Sequence, residues 1–194
     1  MRRFEAFVAA GVLAWAGVLA AQGPTFGLGR PAAPDEIRRL DIFVPPSGAN
    51  LPPGSGTAER GKVVYAAQCA RCHGATGREG PEDIVAGGIG SLTTPRPLKT
   101  VGSFWPYATT LWDYVNRSMP FDRPGALPPD DVYAVVAYVL QLNGIVSVAD
   151  VLDATTLPRV RMPNRDGFIR EPVPSPRVQE KGAGIEPAPS KPGV

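Results

Sequence analysis

Both cysteines of the 194-residue chain and its only histidine fall within five consecutive residues, Cys69-Ala70-Arg71-Cys72-His73. The spacing C-x-x-C-H is the pattern by which a c-type haem is attached. In that chemistry the two thiols add to the vinyl groups of the porphyrin and the adjacent imidazole reaches the iron. The short spacing leaves His73 little conformational choice, and covalent attachment holds the cofactor after export. Other uses of the same residues fit less well. A zinc site normally takes four Cys/His ligands, and the chain has three such residues in all. A redox dithiol of the thioredoxin kind needs a βαβ context, and no such alternation surrounds the motif. A structural disulfide would leave His73 without a role. A single motif implies one covalent haem c, bound through Cys69 and Cys72 with His73 on the iron.

The other axial position has no second histidine to fill it. Among soft ligands, methionine raises the potential of a haem and closes it to small ligands. Met1 leaves with the export signal read below, so Met119 and Met162 remain, each followed by proline. Met119 is the favoured ligand. It comes after a long loop and a short helix, ahead of the last clear helix, an order suited to a small helical haem pocket. Met162 lies beyond that helix, where packing or docking is its simpler role. Met162, a lysine or an open position stay as alternatives.

His73 also needs an acceptor for its other ring nitrogen, usually a carbonyl. The loop "GATGREGPEDIVAGG" offers that of Pro81 or a neighbour. "GGIGS" at 87–91 lacks the ending of a phosphate-binding loop. Trp105, Tyr107, Trp112, Tyr114 and Phe121 flank Met119 and read as pocket and core packing. No paired acid/base arrangement is readable.

The elements that must position these groups are few. Thr57 caps a first helix, "AERGKVVYAAQ", that runs into Cys69. Residues 74–105 read as loop. Thr110 caps a short helix, "LWDYVNRS", ending before Met119-Pro120. The clearest helix is "DDVYAVVAYVLQLNG", with Val132, Val135, Val136, Val139 and Leu140 at helical spacing. Pro129 suits its first position, Asp130 and Asp131 its first turn, and Asn143-Gly144 its end. Pro34 and the acids after it start a possible turn of helix over "PDEIRRL". The expected fold class is all-α.

Composition frames this. Hydrophobic residues make up 43%, enough for a core, while Pro (23) and Gly (22) are abundant and dense near both ends. A net charge of +2 gives no case for nucleic-acid binding. Met1-Arg2-Arg3 followed by the apolar run Ala6–Ala21 reads as a signal peptide, residues 1–21, cleaved before Ala21 or one residue later. The alternative is an uncleaved anchor, but the run is shorter than the ~20 residues a bilayer span needs. The expected division is a signal (1–21), an extended N-terminal arm (22–56), a compact domain (57–144), and a C-terminal arm and disordered tail (145–194). No membrane span is expected in the mature chain, which is placed in the periplasm.

Gly61-x-x-x-Tyr65 on the first helix and Tyr138 on the last resemble the class I cytochrome c fold, in which a small residue lets those helices cross closely beside an aromatic. A narrower resemblance takes in the arms. "GLGRPAAPDEI", "LPPGSGTAERGKVVYAAQCARCHG", "KTVGSFWPYATTLWDYVNRSMPF", "DDVYAVVAYVLQLNGI" and "LPRVRMPNRDGF" are similar to SoxD, the cytochrome subunit of a periplasmic sulfane dehydrogenase in thiosulfate oxidation. The resemblance implies a SoxC-like partner that carries a molybdenum cofactor and gives up electrons one at a time. It also implies a downstream acceptor such as another cytochrome c, and arms that lie along the molybdenum partner. Some SoxD proteins have a second haem domain, which this chain lacks. Related cytochromes serve sulfite dehydrogenases, and a free-standing periplasmic carrier is a further reading. No substrate site is expected on the chain itself.

Overall fold

The computed structural model describes residues 27–169, so the expected signal peptide and the C-terminal end from 170 lie outside the described residues. The chain divides between Ile42 and Phe43. On the N-terminal side, α1 (Pro34–Leu40) starts on a proline and carries Asp35 and Glu36 in its first turn, where acids favour the helix dipole. Glu36 accepts from the Ala33 amide (2.8 Å) and pairs with Arg30. None of the residues of α1 is buried.

The second unit is built around one helix. Its elements are β1 (Ser55–Thr57), α2 (Ala58–Gln68), the single turn α3 (Ala70–His73), α4 (Ala108–Ser118), α5 (Pro129–Leu142) and β2 (Val151–Asp153), with short 3-10 turns at Ser91–Thr93 and Leu157–Arg159. Every residue of α5 from Val132 to Leu140 is buried. A helix apolar on all sides must be covered on all sides, and here α2, α4, β1 and β2 do so. Each buried Val or Leu contributes about 1.5–3 kcal/mol against leaving it in water.

The crossing of α2 and α5 depends on Gly61. A Cβ at that position would lie 1.8 Å from the Ala134 carbonyl oxygen, so no larger residue fits without parting the helices. Beside the crossing, the rings of Tyr65 and Tyr138 meet edge to face at 5.2 Å. The predicted helix ends hold for α2 and α5: the Thr57 hydroxyl accepts from the Arg60 amide, Pro129 opens α5, and Asn143 closes it. The predicted start of α4 does not. That helix begins at Ala108, not after Thr110. Thr109 is fully buried and spends its hydroxyl on the Pro46 carbonyl (3.2 Å).

Two features add to the helical expectation. β1 and β2 pair antiparallel with Gly56 opposite Leu152. The core also draws on Val44, Leu152, Leu157 and Met162, all buried, from beyond both ends of the 57–144 span. Among the described residues no helix is long and apolar enough to cross a membrane.

Candidate haem site

Helix α2 delivers the motif. Cys69 caps its end with its amide on the Tyr65 carbonyl (2.8 Å). The chain then turns once more: the amides of Cys72 and His73 both reach the Cys69 carbonyl at 3.0 Å, and that of Gly74 reaches Ala70 at 2.8 Å. One turn of helix therefore holds Cys69, Cys72 and His73 together, all three half-buried. The thiols are not bridged. Burial pushes the Cys69 thiol up to about 11, so it is protonated at neutral pH. The Tyr65 hydroxyl donates to the Gly74 carbonyl at 3.1 Å and ties the end of this turn back to α2.

The His73 ring is oriented from one side. Its Nδ1 lies 2.8 Å from the backbone oxygen of Asp83. The acceptor is thus Asp83 rather than Pro81, two residues along the expected loop. A carbonyl can only accept, so Nδ1 carries the hydrogen and Nε2 of the neutral ring keeps a free lone pair, the form that binds a metal. The loop bearing Asp83 lies directly on the motif. The Glu82 amide donates to the Cys72 carbonyl (2.9 Å), and a Cβ on Gly80 would sit 2.0 Å from that same oxygen. Glu79 braces the loop, accepting from the Thr76 hydroxyl (2.7 Å) and the Arg78 amide (2.9 Å). Those bonds hold its carboxyl below the ordinary value of 4.5.

Met119 terminates α4, extended and half-buried, with its amide on Val115 (3.2 Å). The segment after it is tied to the motif: Arg123 donates to Gln68 Oε1 at 2.6 Å, and Asp122 pairs with Arg71 at 3.7 Å. Met162 is placed differently. It is 1% exposed inside the hydrophobic core, in keeping with the packing role.

These residues fit a haem c. Two unbridged thiols and an imidazole with a free Nε2 share one turn. Val64, Val85, Trp105, Met119 and Leu127 border the core only partly buried. Trp112 Nε1 is a buried donor with no partner among the described residues, and such a group normally has one. Among the described residues no cluster of three His, Cys, Asp or Glu side chains is arranged for a bare metal ion.

Sequence reasoning missed two buried polar residues that shape the region. Asp113 accepts from the Val44 amide (2.9 Å) and pairs with Arg117 along α4. Asn143, read only as a helix stop, bonds to three backbone groups. An Asp in an apolar helix pattern was a visible signal; Asn143 gave none beyond its place at the helix end.

Comparison with known proteins agrees with this geometry. Residues 56–139 match the family described as cytochrome C oxidase, cbb3-type, subunit III. No curated protein matches the chain. Among solved structures it is similar to the sulfane dehydrogenase SoxCD from Paracoccus pantotrophus, at 42% identity with a TM-score of 0.69, over 88% of this chain and 83% of that one. With the motif on one helical turn, a cytochrome c domain that implies haem c, and that similarity over most of both chains, the protein belongs to the family of SoxD-like c-type cytochromes.

Proposed function

We propose that the chain is a single-haem cytochrome subunit of a periplasmic sulfur dehydrogenase. It accepts electrons one at a time from a molybdenum-containing partner and passes them to a downstream acceptor such as another cytochrome c. The observation that carries this reading is the extent of the similarity to the sulfane dehydrogenase structure. It takes in 88% of the chain, well past the 56–139 match, so the flanks are matched as well as the cytochrome domain. The apolar run behind Arg2-Arg3 supports export to the periplasm.

Haem c, when bound, supplies a one-electron couple. The chain's residues hold and tune it. Cys69 and Cys72 would anchor it covalently and His73 would ligate its iron through Nε2. The Asp83 carbonyl fixes the ring and makes it a stronger donor. Met119 would supply the second protein ligand; a thioether there would raise the potential and close the iron to small ligands. The sulfur chemistry itself belongs to the partner.

Co-expression of the full chain with a SoxC-like molybdenum subunit tests this. The expected result is a stable complex with one covalent haem per chain by the pyridine haemochrome assay. Its haem should be reduced when protein-bound sulfane sulfur is added. A chain that purifies alone, and is reduced no faster with the molybdenum subunit present, would instead be a free-standing carrier. Reduction by sulfite but not sulfane sulfur would make it the cytochrome of a sulfite dehydrogenase. The part played by the C-terminal tail is tested by truncation after Ile169. A cut at Leu157 would also remove Leu157 and Met162 from the core.

A further inference from the structure

We infer that Asn143, at the end of α5, is a positioning residue for His73. The inference rests on the reading of His73 as an iron ligand. Asn143 is 7% exposed. Its Nδ2 donates to the carbonyls of Val139 (2.8 Å) and Val85 (3.2 Å), and its Oδ1 accepts from the Gly87 amide (2.9 Å). The amide orientation is fixed by this set, because a flipped side chain would face two carbonyls with an acceptor and an N–H with a donor. Both N–H groups and the oxygen are in use, and two of the three bonds grip residues 85 and 87.

Those two residues lie two and four positions after Asp83. The segment is clamped at its other end by the Glu82 amide on Cys72 (2.9 Å) and underneath by the Val85 and Ala86 amides on Gly77 (2.9 and 3.1 Å). Thr100 adds a bond to the Gly87 carbonyl (2.6 Å). The Asp83 carbonyl therefore sits between a clamp on the haem motif and a clamp on the last helix. The Asp83 residue is exposed and serves the histidine only through its backbone. Asn143 thus sets the His73–Asp83 hydrogen bond without touching either residue. Loosening that bond makes the imidazole a weaker donor, which disfavours the ferric state and raises the reduction potential.

The test uses the full-length ferric holoprotein. The His73 Nδ1 proton is followed by its hyperfine-shifted NMR signal, and the midpoint potential is measured by titration. In Asn143→Leu, exchange of that proton with solvent is expected to be at least tenfold faster and the potential higher. Gly102→Ala should move both in the same direction, since a Cβ there would lie 2.1 Å from Asn143 Oδ1. Thr109→Val, a buried polar change elsewhere, should lower the thermal midpoint and leave both readouts alone. In the wild type, the Gly87 amide and the His73 proton should exchange at matching rates, a measurement that needs no variant to fold. Readouts that move no more in Asn143→Leu or Gly102→Ala than in Thr109→Val, or unmatched wild-type rates, would overturn the inference. A wild type with no hyperfine-shifted histidine signal would remove the ligand reading itself.

Discussion

The Nδ1 of His73 and the backbone oxygen of Asp83, 2.8 Å apart, fix the use of the ring: the carbonyl accepts from Nδ1–H, which leaves the lone pair of the neutral imidazole on Nε2. Nine residues of glycine-rich loop separate them, so the contact depends on how that loop lies. Gly80 is where it comes nearest the motif, over the Cys72 carbonyl. Gly80→Ala should force the loop off that oxygen and lower stability by about 1–3 kcal/mol, the usual cost of overpacking. Chemical denaturation of the holoprotein measures the loss, and an unchanged midpoint would count against the close approach.

Asp113 should matter for folding although it bears no part of the haem site. Asp113 is 3% exposed and its carboxylate is the acceptor for the buried Val44 amide. Asp113→Ala strands that amide, at about 1–3 kcal/mol. The Arg117 partner is 40% exposed and turns to water, so it adds little. Asp113→Asn keeps an acceptor and should cost less. Equal losses in the two variants would place the effect in the ion pair instead.

Helices α2 and α5 were legible because each carries both a pattern and its stop signals: Thr57 and Pro129 at the starts, Asn143-Gly144 at an end. The Gly61–Tyr138 crossing was legible only through the resemblance to the class I cytochrome c fold, since nothing in the sequence itself says that the two residues face each other. The motif turn could be read because its geometry is local. What could not be read is set by tertiary choice. Thr110 looks like a cap, yet the neighbouring Thr109 is spent on Pro46 and the helix starts earlier. Leu152, Leu157 and Met162 lie in a stretch with no period to mark them as core. The β1–β2 pair joins three-residue strands nearly a hundred positions apart, and neither has alternation long enough to see. Which loop carbonyl serves His73 depended on the path of residues 77–87, hence Asp83 in place of Pro81.

Glu79 gives the haem-side loop a pH dependence. Its folded pKa is depressed, first by the Thr76 hydroxyl and then by backbone amides. A depressed carboxyl stabilises the loop above its unfolded value and loses that contribution as pH falls through the lower folded value. Amide exchange in residues 74–80 should therefore rise as pH falls from about 4.5, after correction for intrinsic rates. Glu79→Gln should show the faster exchange already at pH 7 and respond less to acid. A wild-type loop whose protection is flat across this range would show that the carboxylate does not brace it.

The two methionines should fail in opposite ways. Met119 ends α4 half-buried, with the segment after it bonded to Gln68 and Arg71 of the motif region. Met162 is 1% exposed in the core. Met119→Ala should abolish the long-wavelength methionine–iron charge-transfer band of the ferric protein and lower its potential, because a thioether ligand favours the ferrous state. Its effect on folding should be the smaller of the two. Met162→Ala should keep the band and the potential while losing about 2–5 kcal/mol of stability, the range for truncating a buried methionine. An absorption spectrum and a denaturation curve on each variant separate the roles. A band that survives in Met119→Ala and vanishes in a folded Met162→Ala would exchange the assignments, and would require the C-terminal segment to leave the core to reach the iron.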